Sequence, residues 1–252
     1  MPNKIIEPTQ NDNPTATTSK KVEAKKVKTG VHGLDDILNG GIPVGNLVVV
    51  SGEPGAGKTI MCLEYLYRGI TDFDEPGVYV SLEESPDDIV KTAAQFGWDM
   101  MPLVKKGKLA ILTIELYDFD KLRNTIEDVV EKIGAKRLVI DPGVIFRLFF
   151  EKELDARKRI LSLGKMLKKI GCTAIITNEI SLDKMSSLFG LEEYIADGVI
   201  LLYHTKLEDR FVRSAGILKM RGTKISEKLH PVRIDSDGLK ILSKQELFQD
   251  IK

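Results

Sequence analysis

The 252-residue sequence predicts an α/β domain with a mostly parallel β-sheet covered by helices on both faces. Three observations predict this class. Short β-branched and apolar runs alternate with segments of helical periodicity along most of the chain. The strand-like runs are apolar almost throughout, as is typical of parallel strands buried on both faces. The composition is that of a globular protein, with 42% hydrophobic and 29% charged residues.

Five apolar runs alternate with helical periodicity as far as residue 178. The first run, Leu-Val-Val-Val-Ser at 47–51, is short and β-branched, so it predicts a buried strand. Ser85 caps a predicted helix over 86–96, and its first residue is a proline, which the first turn tolerates. A helix over 118–133 has its apolar residues on one stripe. The remaining strands are predicted at 78–82, 109–114, 138–141 and 173–178, and the remaining helices directly after the first strand and at 155–170.

The last quarter of the folded part has a different pattern. Strand-like runs follow one another without helices between them, and the turn sequence Ser-Asp-Gly at 236–238 separates the last two. We therefore expect an antiparallel or mixed edge of the sheet. These runs lie at 199–203, 211–220, 231–234 and 239–242.

Residues 1–26 differ from the rest and predict a disordered basic tail. They contain three prolines, a Thr/Asn-rich middle and several lysines, without apolar periodicity. Such a segment buries too little apolar surface to offset the entropy of ordering. It is either a solvated leader or a weak anchor for nucleic acid or another protein. The folded domain is expected to comprise residues 27–252.

Charge and cysteine content narrow the classes of function. Lysine and arginine (37) balance aspartate and glutamate (37), so the formal net charge is zero. This balance argues against a strongly basic nucleic-acid-binding protein, whose affinity depends on neutralising phosphates. The two cysteines, Cys62 and Cys172, fit neither a disulfide framework nor a cysteine-ligated zinc site. No apolar run approaches the roughly 18 residues of a membrane span, and we expect a cytoplasmic protein without membrane contact.

The most specific motif lies between the first predicted strand and the helix after it. Residues 52–59 read Gly-Glu-Pro-Gly-Ala-Gly-Lys-Thr and match the phosphate loop GxxxxGK[ST]. Its glycines let backbone N–H groups at the helix start surround a phosphate. Lys58 supplies positive charge toward the β- and γ-phosphates, and Thr59 offers a hydroxyl to Mg²⁺. The predicted nucleotide-binding residues are Gly52, Glu53, Pro54, Gly55, Ala56, Gly57, Lys58, Thr59 and Ile60.

Two other predicted strands end in carboxylates at the same edge of the sheet. Asp141 ends the apolar run Arg-Leu-Val-Ile-Asp and would hold Mg²⁺ through bound water, although such an aspartate alone is usually a turn residue. Glu83 and Glu84 follow the strand at 78–82, at the edge where open α/β sheets bind ligands. Glu84, helped by Glu83, could polarise an attacking water molecule. Alternatively, both acids complement the dipole of the next helix.

These motifs and their flanking segments resemble the RecA superfamily, and most closely the KaiC-like and RadA-paralogue ATPases common in archaea. The resemblance covers about residues 27–242. It implies a RecA-like P-loop fold with one KaiC-type domain, ATP and Mg²⁺ as ligands, ATP hydrolysis, and a homo-oligomer. The oligomer implied is usually a hexameric ring with ATP between subunits. The segments that carry the resemblance are 29–45, 52–59, 81–85, 177–178, 195–202 and 217–223.

The resemblance also assigns a role to a Lys-x-Arg pair on a late strand. In this family the pair, here Lys219 and Arg221, reaches the γ-phosphate bound by a neighbouring subunit. That is an arginine-finger arrangement, which neutralises charge during phosphoryl transfer. Without the resemblance, both would be solvated strand charges.

Two features depart from the clock protein KaiC and a third from many relatives. The clock protein has two fused ATPase copies, whereas this chain has one. Its adjacent phosphoacceptor residues have no counterpart at 193–196, which argues against autophosphorylation. Pro142 follows Asp141 where many relatives carry a hydroxyl residue, so a hydrogen bond near the phosphates is lost and hydrolysis could be slow.

Three functions therefore remain open. The first is an ATPase that turns over slowly at subunit interfaces and acts as a nucleotide-dependent regulatory switch on a protein client. The second is a RadA-paralogue-like recombination factor that binds single-stranded DNA, favoured by the lysine-rich tail and opposed by the neutral charge. Its DNA loops would lie at 143–153, which is strongly apolar, and at 180–190, where Lys184 is the only basic residue. The third is a nucleotide-sensing scaffold that does not hydrolyse ATP.

Overall fold

The computed structural model describes residues 24–114, 119–142, 153–180 and 195–247. Within these ranges the predicted helices and strands occur in the predicted order, together with a few short elements that were not predicted. The strands are β1 (Lys26–Val27), β2 (Ile42–Pro43), β3 (Leu47–Gly52), β4 (Gly77–Ser81), β5 (Leu109–Thr113), β6 (Arg137–Asp141), β7 (Thr173–Glu179), β8 (Gly198–Leu207), β9 (Arg210–Met220), β10 (His230–Asp235) and β11 (Gly238–Ile241). The helices are α1 (Leu34–Ile37), α2 (Lys58–Phe73), α3 (Pro86–Ala94), α4 (Met101–Lys105), α5 (Phe119–Ile133) and α6 (Glu153–Ile170).

A nine-stranded mixed sheet organises the domain. Its strand order is β11-β10-β9-β8-β3-β7-β6-β4-β5. Pairing is parallel from β8 through β5 and antiparallel between β8, β9, β10 and β11. The predicted parallel sheet with an antiparallel C-terminal edge is thus confirmed. Strand β3 lies in the middle of the sheet, and all six of its residues are buried.

Alternate residues of the central strands face two separate cores. Val48 and Val139 pack on the side of α2, whereas Leu138 and Ile140 pack on the side of α5 and α6. This alternation follows from the two-residue period of a strand. Because both faces are covered, the middle positions of these strands are apolar on both faces, which explains the nearly uninterrupted apolar runs in the sequence. Within the described residues, no helix is both long and apolar enough to cross a bilayer.

Several short elements escape prediction from sequence. Helices α1 and α4 have four and five residues, which is too short for helical periodicity to be visible. Strands β1 and β2 pair Lys26 with Pro43, so ordered pairing begins one residue before the predicted domain start. Strand β8 runs on to Leu207, past its predicted end at residue 203. Its outer part pairs with β9 while exposed to solvent, so it carries no apolar signal.

Arg137, the first residue of β6, is buried and connects distant parts of the chain by hydrogen bonds. Its side chain is fully buried, and its Nε donates to Oε2 of Glu75 at 2.8 Å. The guanidinium also donates to the carbonyls of Tyr65 at 2.8 Å, Lys28 at 2.6 Å and Thr29 at 3.3 Å. It lies 4.6 Å from the centre of the Tyr65 ring, within cation–π range. The start of the domain is thereby fixed to α2 and β6.

We expect Arg137→Met to lower the free energy of unfolding by about 3–5 kcal/mol, because it leaves buried acceptors and the Glu75 carboxylate without their partner. Urea unfolding measures this loss. The matched control is Arg157→Met on the exposed side of α6, with an expected change within about 0.5 kcal/mol. Equal effects of the two substitutions would contradict the role assigned to Arg137.

Helix α2 also buries an acid against the C-terminal hairpin. Glu64 is 3% exposed, and its Oε2 accepts a hydrogen bond from the Leu239 backbone N–H at 2.9 Å. Burial raises the pKa of Glu64 from its ordinary value of 4.5 to about 7. The Leu239 hydrogen bond and the Arg68 guanidinium, 4.0 Å away, oppose this rise without cancelling it.

The raised pKa predicts a pH dependence of stability. Because the folded state holds the Glu64 proton more tightly than the unfolded state, the unfolding free energy falls as pH rises from about 4.5 to about 7. Glu64→Gln keeps an acceptor oxygen for Leu239 and removes the titration. Its stability gain over the parent should therefore be larger at about pH 8 than at about pH 5.

Thermal unfolding at both pH values measures this difference, with Glu131→Gln on the exposed side of α5 as the control. A gain that is the same at both pH values would show that Glu64 does not titrate in this way.

Candidate functional site

The phosphate-loop sequence forms the turn between β3 and α2, as the motif requires. Gly55 and Gly57 have φ angles of 76° and 101°, in the left-handed region that favours glycine. A Cβ atom on Gly52 would overlap the Leu202 carbonyl oxygen of β8, so the loop packs directly on that strand. The backbone therefore reaches the N-terminus of α2 in a tight turn, where its N–H groups can converge on an anion.

Strands β8 and β9 brace this loop from outside. Oε2 of Glu53 accepts a hydrogen bond from the His204 backbone N–H at 3.1 Å. Nε of Arg213 donates to the Gly55 carbonyl at 2.9 Å. The Glu53 carboxylate thus binds β8 in this structure instead of facing the cleft. Neither His204 nor Arg213 belongs to a recognisable motif, so the sequence gives no signal for the brace.

Lys58 is the first residue of α2, and its ammonium group reaches back into the loop. Its Nζ donates to the carbonyls of Gly52 at 2.9 Å and Glu53 at 3.0 Å. Burial lowers the pKa of Lys58, while the nearby carboxylates of Glu179 and Asp141 oppose that change. The ammonium group is therefore held within the loop by two carbonyl oxygens, which a phosphate oxygen could replace.

Asp141 at the end of β6 accepts hydrogen bonds from three hydroxyl groups. Its Oδ2 accepts from Oγ1 of Thr59 at 2.7 Å and from the Tyr79 hydroxyl at 2.8 Å. Its Oδ1 accepts from Oγ1 of Thr177. Four elements, α2, β4, β6 and β7, thus meet at one carboxylate. The sequence motifs assign both Thr59 and Asp141 to Mg²⁺, but they miss Tyr79, which lies in the apolar strand β4.

Glu83 and Glu84 follow β4 after one intervening residue, Leu82, and line the same cleft. The Glu84 backbone N–H donates to Oγ of Ser81 at 2.8 Å, which fixes the turn out of the strand. Partial burial raises the pKa of Glu84, and the negative charges of Asp141, Asp88 and Glu83 add to the rise. The N-cap of α3 is supplied by the Ser85 side chain. Capping of that helix therefore does not require either glutamate.

The cleft has a volume of about 730 Å³, within the range of small-molecule sites. Its walls carry two cations, Lys58 and Arg213, and four acids, among them Glu179, which sequence reasoning missed. So many carboxylates would repel a bare polyphosphate, whereas a polyphosphate with a bound divalent cation suits this mixture. The lining residues are Pro54, Gly55, Gly57, Lys58, Thr59, Ile60, Tyr79, Ser81, Glu83, Glu84, Ile89, Asp141, Pro142, Glu179, Arg213 and Ile234.

Lys219 and Arg221 lie at the opposite edge of the sheet. Lys219 pairs with Val199 on β8, and the Arg221 backbone N–H donates to the Asp197 carbonyl at 2.8 Å. The Asp197 N–H in turn donates to the carbonyl of Leu47, the first residue of β3. Along β3, five residue steps (about 16 Å) separate the level of Arg221 from the end of the strand at Gly52. Lys219, which is level with Val49, lies three steps (about 10 Å) from that end. Within one chain, the pair is therefore distant from the cleft.

The proposed DNA-binding loops lie mostly outside the described residues. From the first, the structure describes only the backbone of Glu153, and from the second only Ile180. Lys184 and residues 193–194 also lie outside the described part of the chain. Pro142 is described and lines the cleft beside Asp141.

Known proteins match almost the whole described chain. The family model for the KaiC ATPase matches residues 27–246. UPF0273 protein MJ1359 of Methanocaldococcus jannaschii is 37% identical over 232 residues, which cover 85% of this chain and 95% of that protein. The crystal structure of the KaiC-like protein PH0186 from Pyrococcus horikoshii superposes with a TM-score of 0.78 at 37% identity. The superposition covers 86% of this chain and 99% of that one.

The circadian clock protein itself is matched over one part only. The clock oscillator protein KaiC of Synechococcus elongatus is 36% identical over 228 residues, which cover 86% of this chain and 44% of that protein. The chain thus spans less than half of the clock protein's length. From the strand-loop-helix cradle, the mixed sheet and these matches, we conclude that the chain belongs to the KaiC ATPase family and forms a single RecA-like, ATP-binding P-loop domain.

Proposed function

We propose that this protein slowly hydrolyses Mg·ATP at sites shared between copies of the chain and acts as a nucleotide-dependent regulatory switch. One observation carries the proposal. A single cleft brings together Lys58, Thr59, Asp141 and Glu84, which suit binding of Mg·ATP and activation of water. The family membership supports ATP as the nucleotide.

The phosphate loop, including Lys58 and Thr59, would hold Mg·ATP together with Asp141. Backbone N–H groups at the start of α2 and the Lys58 ammonium would bind the phosphate oxygens. The Thr59 hydroxyl would bind Mg²⁺ directly, and Asp141, 2.7 Å from that hydroxyl, would bind it through water. When bound, Mg²⁺ neutralises charge on the phosphate oxygens.

Glu84 is the proposed group that orients the attacking water, with Glu83 beside it. A carboxylate can accept the hydrogen bond and then the proton of that water only when it is ionised. The raised pKa of Glu84 makes it a better proton acceptor than an ordinary glutamate at the same degree of ionisation. The neighbouring Pro142 has neither an N–H nor a hydroxyl to offer the phosphates, which supports slow turnover.

Lys219 and Arg221 are proposed to act on the nucleotide of a second copy. They lie at the edge of the sheet opposite their own cleft, so only a neighbouring chain could bring them to a γ-phosphate. Such a contact joins two different surfaces and forms a ring if the rotation between copies closes, or a filament if it does not. A hexameric ring is the assembly that the family resemblance implies.

The test is steady-state Mg·ATP turnover of Glu84→Gln beside the parent. We expect kcat to fall about 10²-fold or more because the proton acceptor is lost, while ATP affinity stays within about threefold. Glu131→Gln is the matched control with unchanged turnover. Lys58→Ala should instead lose ATP binding, since the charge at the phosphates is removed.

Other outcomes would favour the competing functions. A parent turnover no faster than that of Glu84→Gln would indicate a nucleotide-sensing scaffold. Turnover that single-stranded DNA stimulates strongly would indicate the recombination function.

A further inference from the structure

The side chain of Asp197 joins Arg221 to the start of the central strand. Its Oδ2 accepts a hydrogen bond from the Leu47 backbone N–H at 3.2 Å. Its Oδ1 accepts one from Nη1 of Arg221 at 3.4 Å. The carboxylate is mostly buried, with 20% of its side chain exposed, whereas the Arg221 side chain is 61% exposed. One guanidinium nitrogen is therefore held against the sheet while the exposed part of the group faces solvent.

The backbone of Arg221 is fixed by a second buried side chain. Asn46, which is 4% exposed, donates from Nδ2 to the Arg221 carbonyl at 3.1 Å. The same amide lies 3.8 Å from the sulfur of Met220. Two residues further on, Oγ1 of Thr223 accepts a hydrogen bond from Nζ of Lys26. The segment that carries Arg221 is therefore anchored before and after the arginine.

Anchoring of this kind matters for an arginine that binds a second molecule. A free arginine side chain samples many rotamers, and this freedom is lost when the guanidinium binds. A carboxylate that holds one nitrogen reduces the rotamers in advance and leaves the other donors available. Asp197 and Asn46 both lie at the level where β3 begins. The strand that ends in a chain's own phosphate loop therefore also supports its Arg221.

We propose that Asp197, assisted by Asn46, is a positioning residue that presents Arg221 to the nucleotide bound by a second copy of the chain. This inference rests on the proposed role of Arg221 between copies. It assigns a function to Asp197 and Asn46, which lie where β3 begins, away from the nucleotide bound by their own chain.

The test uses mixtures of full-length variants, combined before Mg·ATP is added. Lys58→Ala chains lack a working cleft but keep an intact Arg221, and Arg221→Ala chains have the opposite defect. Each alone should be inactive, and an equimolar mixture should regain turnover, since about a quarter of the sites combine two intact halves. A mixture without turnover would overturn the role of Arg221 between copies, and the inference about Asp197 with it.

Asp197→Asn then tests the positioning role. The asparagine oxygen can still accept a hydrogen bond from the Leu47 N–H. Its NH₂ group then takes the place of the carboxylate oxygen that accepts from the Arg221 guanidinium, so that hydrogen bond is lost. Alone, the variant should lose about tenfold or more in kcat, with ATP affinity unchanged because the phosphate loop is intact. Lys58→Ala chains should restore turnover in mixtures, and Arg221→Ala chains should not. Asp128→Asn, on the exposed side of α5, is the matched control with turnover equal to the parent.

Three results would overturn the inference while the role of Arg221 stands. They are unchanged turnover of Asp197→Asn, rescue by Arg221→Ala chains instead of Lys58→Ala chains, and rescue by neither although the variant is folded. If Asp197→Asn does not fold, Asn46→Leu replaces it, because leucine has a similar size and removes the donor to the Arg221 carbonyl. The same pattern of rescue is expected, and the same three results would overturn it.

Discussion

The hydrogen bonds that converge on Asp141 hold the candidate site together. Thr59 from α2, Tyr79 from β4 and Thr177 from β7 all donate to this one carboxylate. Three donors on two oxygens fix its orientation, and each donor comes from a different element of the sheet edge. The start of α2 is thereby held against β6, and the phosphate loop is held with it. The positions of Lys58 and of the acids after β4 depend on that arrangement.

The central strand β3 gives the domain two functional ends. Its carboxyl end enters the phosphate loop, which Glu53 and Arg213 brace against β8 and β9. Its amino end contacts Asp197, which pairs with Arg221. A rigid, fully buried strand keeps these ends about 16 Å apart. In our proposal this fixed separation is why one chain holds half of each of two sites and why catalysis requires assembly.

The sequence predicted the parts of the fold that depend on local patterns. The apolar run of β3, the glycines of the loop and the stripe of α5 are each visible in a short stretch of sequence, and the structure has all three. Long-range contacts left no such pattern. No sequence motif assigned a role to Arg213, Glu179 or Arg137. Their roles arise from strand order, which brings residues more than a hundred positions apart into contact, and no local pattern encodes it.

Turnover per chain, measured against chain concentration in saturating Mg·ATP, tests the central claim of sites shared between copies most directly. Sedimentation at the same concentrations gives the assembly state. Our account predicts that turnover per chain falls toward zero on dilution, in step with dissociation into single chains, because each cleft then loses the Arg221 of its neighbour. Turnover per chain that stays constant while the protein sediments as a monomer would contradict it.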